Sequence, residues 1–211
     1  MGIGGAIKHL TFLVVVLAIA AAAGCGIKTG TVRNEQFLQR NRQVTWNTVA
    51  VLPFTGAPQY RRSSSELFSI QLLQQRRFTI IPPAVAEIEL KKHNIPYARG
   101  IFSTREAQEA GRLLAADAVI IGAVSLDYSF QLEHGEGVVE ARLIDTASGE
   151  VVVSITQAGP FTFGYINQHP NMMAATENTA SDMLNVLRVL SGEPLPEPAG
   201  MEHDIGPSSS Q

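Results

Sequence analysis

The 211-residue chain has one cysteine, one tryptophan and only 17% charged residues. A single cysteine excludes an internal disulfide framework, a four-cysteine zinc site and any CxxC redox pair. No dense block of lysine or arginine exists, and the formal charge is −3. There is little with which to neutralise a phosphate backbone, so no nucleic-acid partner is expected. HExxH, GxSxG, Walker A and GxGxxG patterns are all missing, which weakens four enzyme classes. No stretch repeats. What is present is a chain 45% apolar with 18 glycines, enough for one ordinary globular core plus tails.

The amino-terminal residues carry the clearest signal. Lys8 and His9 precede a fourteen-residue run, Leu10 to Ala23, interrupted only by Thr11. A transmembrane helix needs about 20 apolar residues, so this run has the length of a signal-peptide core. It ends in Ala22-Ala23-Gly24-Cys25-Gly26, with no positive stop-transfer cluster. Ala22, Ala23, Gly24 and Cys25 resemble a bacterial lipobox, in which Cys25 is lipidated and residues 1–24 are removed. Ala22 stands where leucine is usual. Gly26 is not the aspartate associated with inner-membrane retention, so the resemblance implies an outer-membrane lipoprotein facing the periplasm. Gly2 does not signal myristoylation, because position 6 is Ala6, not Ser or Thr.

Behind Cys25, residues 25–45 read as a tether, 46–191 as the folded domain and 192–211 as a disordered tail holding four of the eleven prolines. Residues 46–54 read as a strand. Residues 63–75 read as a helix capped by Ser63 with Glu66 three places on, its buried face set by Leu67, Ile70, Gln71 and Gln74. A short strand at 78–81 is followed by a helix opened by Pro82-Pro83, with Val85 and Ile88 inward. Ser103 and Glu106 form a second capping-box match, and Ala107, Ala110, Gly111 and Leu114 give a narrow face for close packing. A strand over 117–124 continues towards Tyr128, and polar residues 131–137 are expected to be a hairpin connection. Strands at 138–145 and from Glu150 flank the turn Thr146-Ala147-Ser148-Gly149. Met173, Thr176, Ala180, Met183, Leu187 and Leu190 mark a long closing helix over 172–190. The expected fold is α/β, a mixed sheet of about five strands with packed helices.

Four segments in this order resemble the CsgG/TolB N-terminal-like superfamily of bacterial envelope lipoproteins. They are Val49-Ala50-Val51-Leu52-Pro53-Phe54, the step Leu73 to Arg77-Phe78-Thr79-Ile80-Ile81, the run Gly111-Arg112-Leu113-Leu114-Ala115-Ala116-Asp117-Ala118-Val119-Ile120-Ile121-Gly122-Ala123-Val124, and Arg142-Leu143-Ile144-Asp145-Thr146-Ala147-Ser148-Gly149-Glu150-Val151-Val152. The superfamily includes the curli secretion channel, activators of peptidoglycan synthases and the Pel export lipoprotein. The resemblance implies a docking platform or ring subunit with no catalytic residues and no cofactor. It departs from the curli channel in one respect. A membrane-crossing β-strand needs about 9–11 residues, and 125–137, with Asp127, Glu133, His134 and Glu136, is too short and polar for such a hairpin. A self-built pore is therefore not expected.

Other residues invite sharper readings. His93, His134, His169 and His203 fall in separate loops or tails by sequence, with no i,i+4 pair, so no metal site is expected. Asp117, Asp145 and Glu150 sit at strand ends and turns, where a structural role is expected. Arg61, Arg62 and Ser63 are a candidate anion site at a helix start. Tyr60, Phe161, Phe163 and Tyr165 are candidate interface aromatics, although residues 161–165 could equally continue the sheet. The leading expectation is a non-enzymatic accessory or assembly subunit of an envelope export or wall-synthesis complex. It would be held to lipid by Cys25 and would bind an envelope protein or further copies of itself. The alternatives are a ring-forming secretion component without its own barrel, and an envelope hydrolase or small-ligand module.

Overall fold

The computed structural model describes residues 30–40, 44–95, 103–129, 134–162 and 168–193. Cys25 and the lipobox, Phe163, Tyr165, His203 and all but the first two residues of the expected tail lie outside these. The described elements are strands β1 (Gly30–Arg33), β2 (Thr48–Val51), β3 (Thr55–Gly56), β4 (Thr79–Ile81), β5 (Ala118–Ser129), β6 (His134–Asp145) and β7 (Val151–Thr162). The helices are α1 (Glu35–Arg40), α2 (Pro58–Leu72), α3 (Pro83–Lys92), α4 (Thr104–Leu113) and α5 (Gln168–Ser191).

The fold class is α/β, built on a seven-stranded mixed sheet in the order β1-β7-β6-β5-β2-β4, with β3 alongside β5. β2 runs parallel to β4 and β5, whereas β5, β6, β7 and β1 are successively antiparallel. The parallel centre is covered on both sides, which is why Val49, Ala50, Val51 and Leu52 are all fully buried without alternation. One core lies between the sheet and α2 and α5, joining Phe68 and Leu72 to Ile120, Leu143, Ile155, Met183 and Leu187. The other lies under α3 and α4, where Ala86, Leu90, Ala107 and Ala110 meet Val119, Ile121 and Ile144. The result is three layers.

Two strands exceed the five expected. β1 comes from the span read as tether: Gly30 to Arg33 pair with Thr156 to Val153 of β7. All four β1 residues are exposed, so no alternation of hydrophobicity marks it. α1 follows and buries Phe37 against Trp46, ring centroids 6.2 Å apart. Residues 134–137 also differ from expectation. They belong to β6, and β7 continues through Pro160 and Phe161 to Thr162.

Helix α2 starts five residues before the expected cap. Ala57 is its N-cap and Pro58 occupies the first turn, where the missing N–H costs nothing. Ser63 is therefore inside the helix, its hydroxyl donating to the Tyr60 carbonyl at 3.0 Å. The buried face is Ser64, Ser65, Phe68, Ser69 and Leu72, while Ile70 is 58% exposed. Small side chains let α2 approach α5, where Thr176 Oγ1 lies 3.1 Å from Ser64 Oγ and donates to the Met172 carbonyl at 2.8 Å. A hydrophobicity-based face misses such a contact because the serines and threonines satisfy their hydroxyls locally. Helix α3 is likewise turned. Pro83, Ala86 and Leu90 are buried, and Val85 and Ile88 face solvent.

Helix α4 follows expectation. Glu106 N donates to Ser103 Oγ at 3.2 Å and Ser103 N donates to Glu106 Oε2 at 2.8 Å, a complete capping box. Ala107, Ala110 and Gly111 are buried. A Cβ at Gly111 would stand 2.4 Å from Thr146 Oγ1 and 2.7 Å from Val119 Cγ2, so glycine sets how closely α4 can approach the sheet. Helix α5 extends the expected 172–190 by four residues at its start and one at its end, with Met172, Ala180, Met183, Leu187 and Leu190 buried.

Two predictions follow from this packing. Gly111→Ala should destabilise the protein by about 1–3 kcal/mol, because the added methyl overpacks a site walled by β-branched side chains; chemical denaturation followed by circular dichroism measures it. Hydrogen bonds from the Ser103 backbone and hydroxyl hold the Glu106 carboxyl below its usual 4.5. With a depressed folded-state value, the stabilisation is present above the ordinary carboxylate range and is lost as pH falls through the lowered one. Amide exchange in the first turn of α4 should therefore accelerate, after correction for intrinsic pH dependence, on acidification below about pH 4.5, and Glu106→Gln should flatten that response.

Candidate functional site

The residues singled out by sequence fall at opposite ends of the sheet. At the carboxyl ends of β2 and β4, a groove of about 260 Å³ runs between the starts of α2 and α3. Arg61 and Arg62 line it together with Phe54, Glu66 and Glu87. Parallel strands place their βα loops here, the usual position of a ligand crevice in an open α/β sheet. Two carboxylates oppose the two guanidinium groups, so this is not a cation-lined trap. Ser63, the third member of the candidate anion site, does not line the groove, and its hydroxyl is committed to Tyr60.

Tyr60 is 8% exposed and belongs to the main core. It is spent on packing and is not available as a surface anchor. Phe161 is a register partner of Gly135 within β7, so of the two readings of this stretch the sheet continuation applies to Phe161. The structure does not bring Tyr60 and Phe161 into one element. His134 opens β6, His169 lies in α5 and His93 is the C-cap of α3. The first two are therefore in regular elements, contrary to the loop positions expected. Among the described residues no group of three or more His, Cys, Asp and Glu could hold a metal ion.

At the amino end of β2 a wider cleft of about 610 Å³ is bordered by Arg40, Trp46, Arg112, Asp117, Asp145 and Glu150. Its two aspartates are organised by hydrogen bonds. Asp117 Oδ2 accepts the backbone N–H groups of Asn47 at 2.8 Å and Thr48 at 3.0 Å, clamping the start of β2 to the start of β5. Asp145 is 8% exposed. Its Oδ1 accepts from Trp46 Nε1 at 3.0 Å, and its Oδ2 accepts from Ser148 N and Ser148 Oγ, both at 2.8 Å. Glu150 takes a two-pronged contact from Arg40 at 2.9 and 2.7 Å. An ionised carboxylate only accepts, and these three accept from the donors that shape the turn and the neighbouring segments. Their chemistry here is positional.

Sequence reasoning placed Asp117, Asp145 and Glu150 at turns but missed Trp46 as the partner of Asp145. The available signal was that a lone tryptophan before a buried strand needs an acceptor for its indole N–H. It also missed Gln108, whose Nε2 donates to the carbonyls of Thr146 at 3.0 Å and Ala147 at 3.1 Å. That contact joins α4 to the β6–β7 turn.

No protein-family model and no curated protein sequence matches the chain. The fold is similar to several solved structures. One is the PelC dodecamer from Paraburkholderia phytofirmans, 15% identical with a TM-score of 0.46 over 79% of this chain and 98% of that one. Another is lipoprotein GNA1162 from Neisseria meningitidis, 15% identical with a TM-score of 0.46 over 65% of this chain and 98% of that one. The LpoB C-terminal domain from Escherichia coli is 13% identical, with a TM-score of 0.40 over 60% of this chain and 94% of that domain. Identities at this level describe a likeness of fold.

Because the Trp46 indole donates to a nearly buried carboxylate, Trp46→Phe should cost about 1.5–3 kcal/mol, the worth of a hydrogen bond to a charged group. Urea denaturation followed by circular dichroism reads it, and an unchanged midpoint would mean that Asp145 is held without the indole.

Proposed function

We propose that the protein is a lipid-anchored accessory subunit of a bacterial envelope complex, attached through Cys25 to the outer membrane and facing the periplasm. The observation that carries this reading is the succession of an apolar run, the small residues Ala22-Ala23-Gly24, the only cysteine and a fold that begins at once. Gly30 is already paired in β1, so only residues 26–29 separate Cys25 from the sheet. Five residue steps span at most ~18 Å. The anchor would hold the β1 edge close to the bilayer, and the standoff expected from a twenty-residue tether shrinks accordingly. Two or more acyl chains give firm attachment, at ~0.8 kcal/mol per buried CH₂.

In this reading the domain acts by surface complementarity with an envelope protein or with other copies of itself. The carboxylates of the Trp46 cleft support it, since their acceptor sites serve backbone and turn geometry. No helix among the described residues is long and apolar enough to cross a membrane.

The test is metabolic labelling with an alkyne fatty acid in a Gram-negative host. The wild-type chain should take up label and fractionate with outer membranes, and inhibition of signal peptidase II should accumulate the precursor. Cys25→Ala should lose the label. Retention of label by that variant, or fractionation of the unlabelled wild type with soluble periplasm, would remove the basis for the proposal.

A further inference from the structure

Helix α2 turns Phe68 and Leu72 into the core but leaves Ile70 and Leu73, at its carboxyl end, 58% and 56% exposed. Their spacing of three puts them side by side on the helix surface. Helical hydrogen bonding continues past Leu73, with Gln74 N donating to the Gln71 carbonyl and Gln75 N to the Leu72 carbonyl, both at 3.2 Å. Arg76 and Arg77 stand one turn beyond Leu73, and both are exposed.

The two arginines are fixed by the residues on either side of them. Gln75 is buried; its Nε2 donates to the Phe78 carbonyl at 2.7 Å, and its Oε1 accepts from Phe78 N at 2.8 Å. This double contact closes a short loop with Arg76 and Arg77 at its tip. Neither arginine makes a hydrogen bond or ion pair among the described residues. The fold itself orders the loop, so a partner does not have to order the backbone that carries the charges.

The same contact decides how a partner can bind. Phe78 leads into β4, an edge strand of the sheet, and both its main-chain groups are taken by Gln75. Pro82, which follows β4, has no N–H. An added strand finds little main chain to pair with there. Recognition falls to side chains, two aliphatic and two cationic. Guanidinium groups pair best with carboxylates, in forked contacts, and exposed aliphatic side chains gain from apolar cover. The complementary surface is a segment whose carboxylates lie about one helical turn from its own apolar side chains. A two-fold contact with a second copy through this face would oppose like charges. An anionic bilayer is a poorer match, because such surfaces are held by clusters of about four to eight basic residues and this chain has a formal charge of −3.

We propose that Ile70, Leu73, Arg76 and Arg77 form a docking surface for an acidic amphipathic segment of another protein. The proposal rests on the reading of the domain as a binding subunit, and not on its lipid attachment.

Photo-crosslinking in intact cells tests it, with p-benzoylphenylalanine in place of Leu73, or separately of Ile70, in the full chain. A control carries it in place of Val85, an exposed residue at the start of α3. Adducts are digested and the attached segment is sequenced by mass spectrometry. Positions 70 and 73 should capture a segment of another protein rich in aspartate or glutamate and in aliphatic residues, and position 85 should not. Arg76→Glu with Arg77→Glu should cut the yield at least tenfold, and Arg76→Gln with Arg77→Gln severalfold. Both variants should keep the melting curve followed by circular dichroism, since the exposed guanidinium groups hold nothing in the fold. Fatty-acid labelling of the same cells reports attachment separately, so either reading can fail alone. No adduct at either position would overturn the docking surface. So would an adduct with lipid, with a second copy of this chain or with a segment lacking carboxylates, or a yield that the arginine variants leave unchanged.

Discussion

Two carboxylates at one end of the sheet join segments far apart in the chain, and the rest of the arrangement hangs on them. Asp117 accepts from Asn47, 70 residues away, and Asp145 accepts from Trp46, 99 residues away. The first sets the register between β2 and β5, the parallel pair at the centre of the sheet. The second ties the turn between β6 and β7 to the chain entering β2. Ser148 closes that turn on the same Asp145 oxygen, and Gly149 completes it at φ 74°, with its N–H on the Asp145 carbonyl. Buried or partly buried acceptors of this kind are costly to leave unpaired. The segments around residues 46–48, 117 and 145–148 are therefore held as one unit.

The same unit explains why α4 sits where it does. Gln108 reaches the carbonyls of Thr146 and Ala147, and Gly111 lets the helix settle against Thr146 and Val119. Thr146 Oγ1 is the buried side-chain atom left without a partner among the described residues, consistent with a contact dominated by close packing. The opposite layer works by a related device. Ser64 of α2 meets Thr176 of α5, so small hydroxyl residues, not leucines, set the distance between these two helices.

In the proposed reading, function is a question of which surfaces stay free. The amino-end cleft is occupied by structural hydrogen bonds, and the groove at the carboxyl ends of β2 and β4 balances Arg61 and Arg62 against Glu66 and Glu87. Tyr60 is committed to the core. What remains is the exposed β1 edge next to the proposed anchor, and the apolar residues of α2 and α3 towards the other edge of the sheet. Strand order puts β1 and β4 at opposite edges, about 24 Å apart at the usual strand spacing.

The amino-acid sequence by itself determined the type and order of most elements. β-branched runs gave the central strands, the Ser103–Glu106 pair capped α4, and three- and four-residue spacing gave α5. Glycine and aspartate placed the β6–β7 turn. Those signals are local, because each depends on neighbours within one turn or one hairpin. The tertiary structure alone decided which faces of α2 and α3 are buried, since serine and alanine pack where close approach matters more than hydrophobicity. It also decided that residues 30–33 are a strand, because an exposed edge strand is stabilised by the hydrogen bonds of its partner and carries no pattern of its own. Only the folded chain could bring Trp46 to Asp145, a pairing between residues whose separation in sequence leaves no periodic trace.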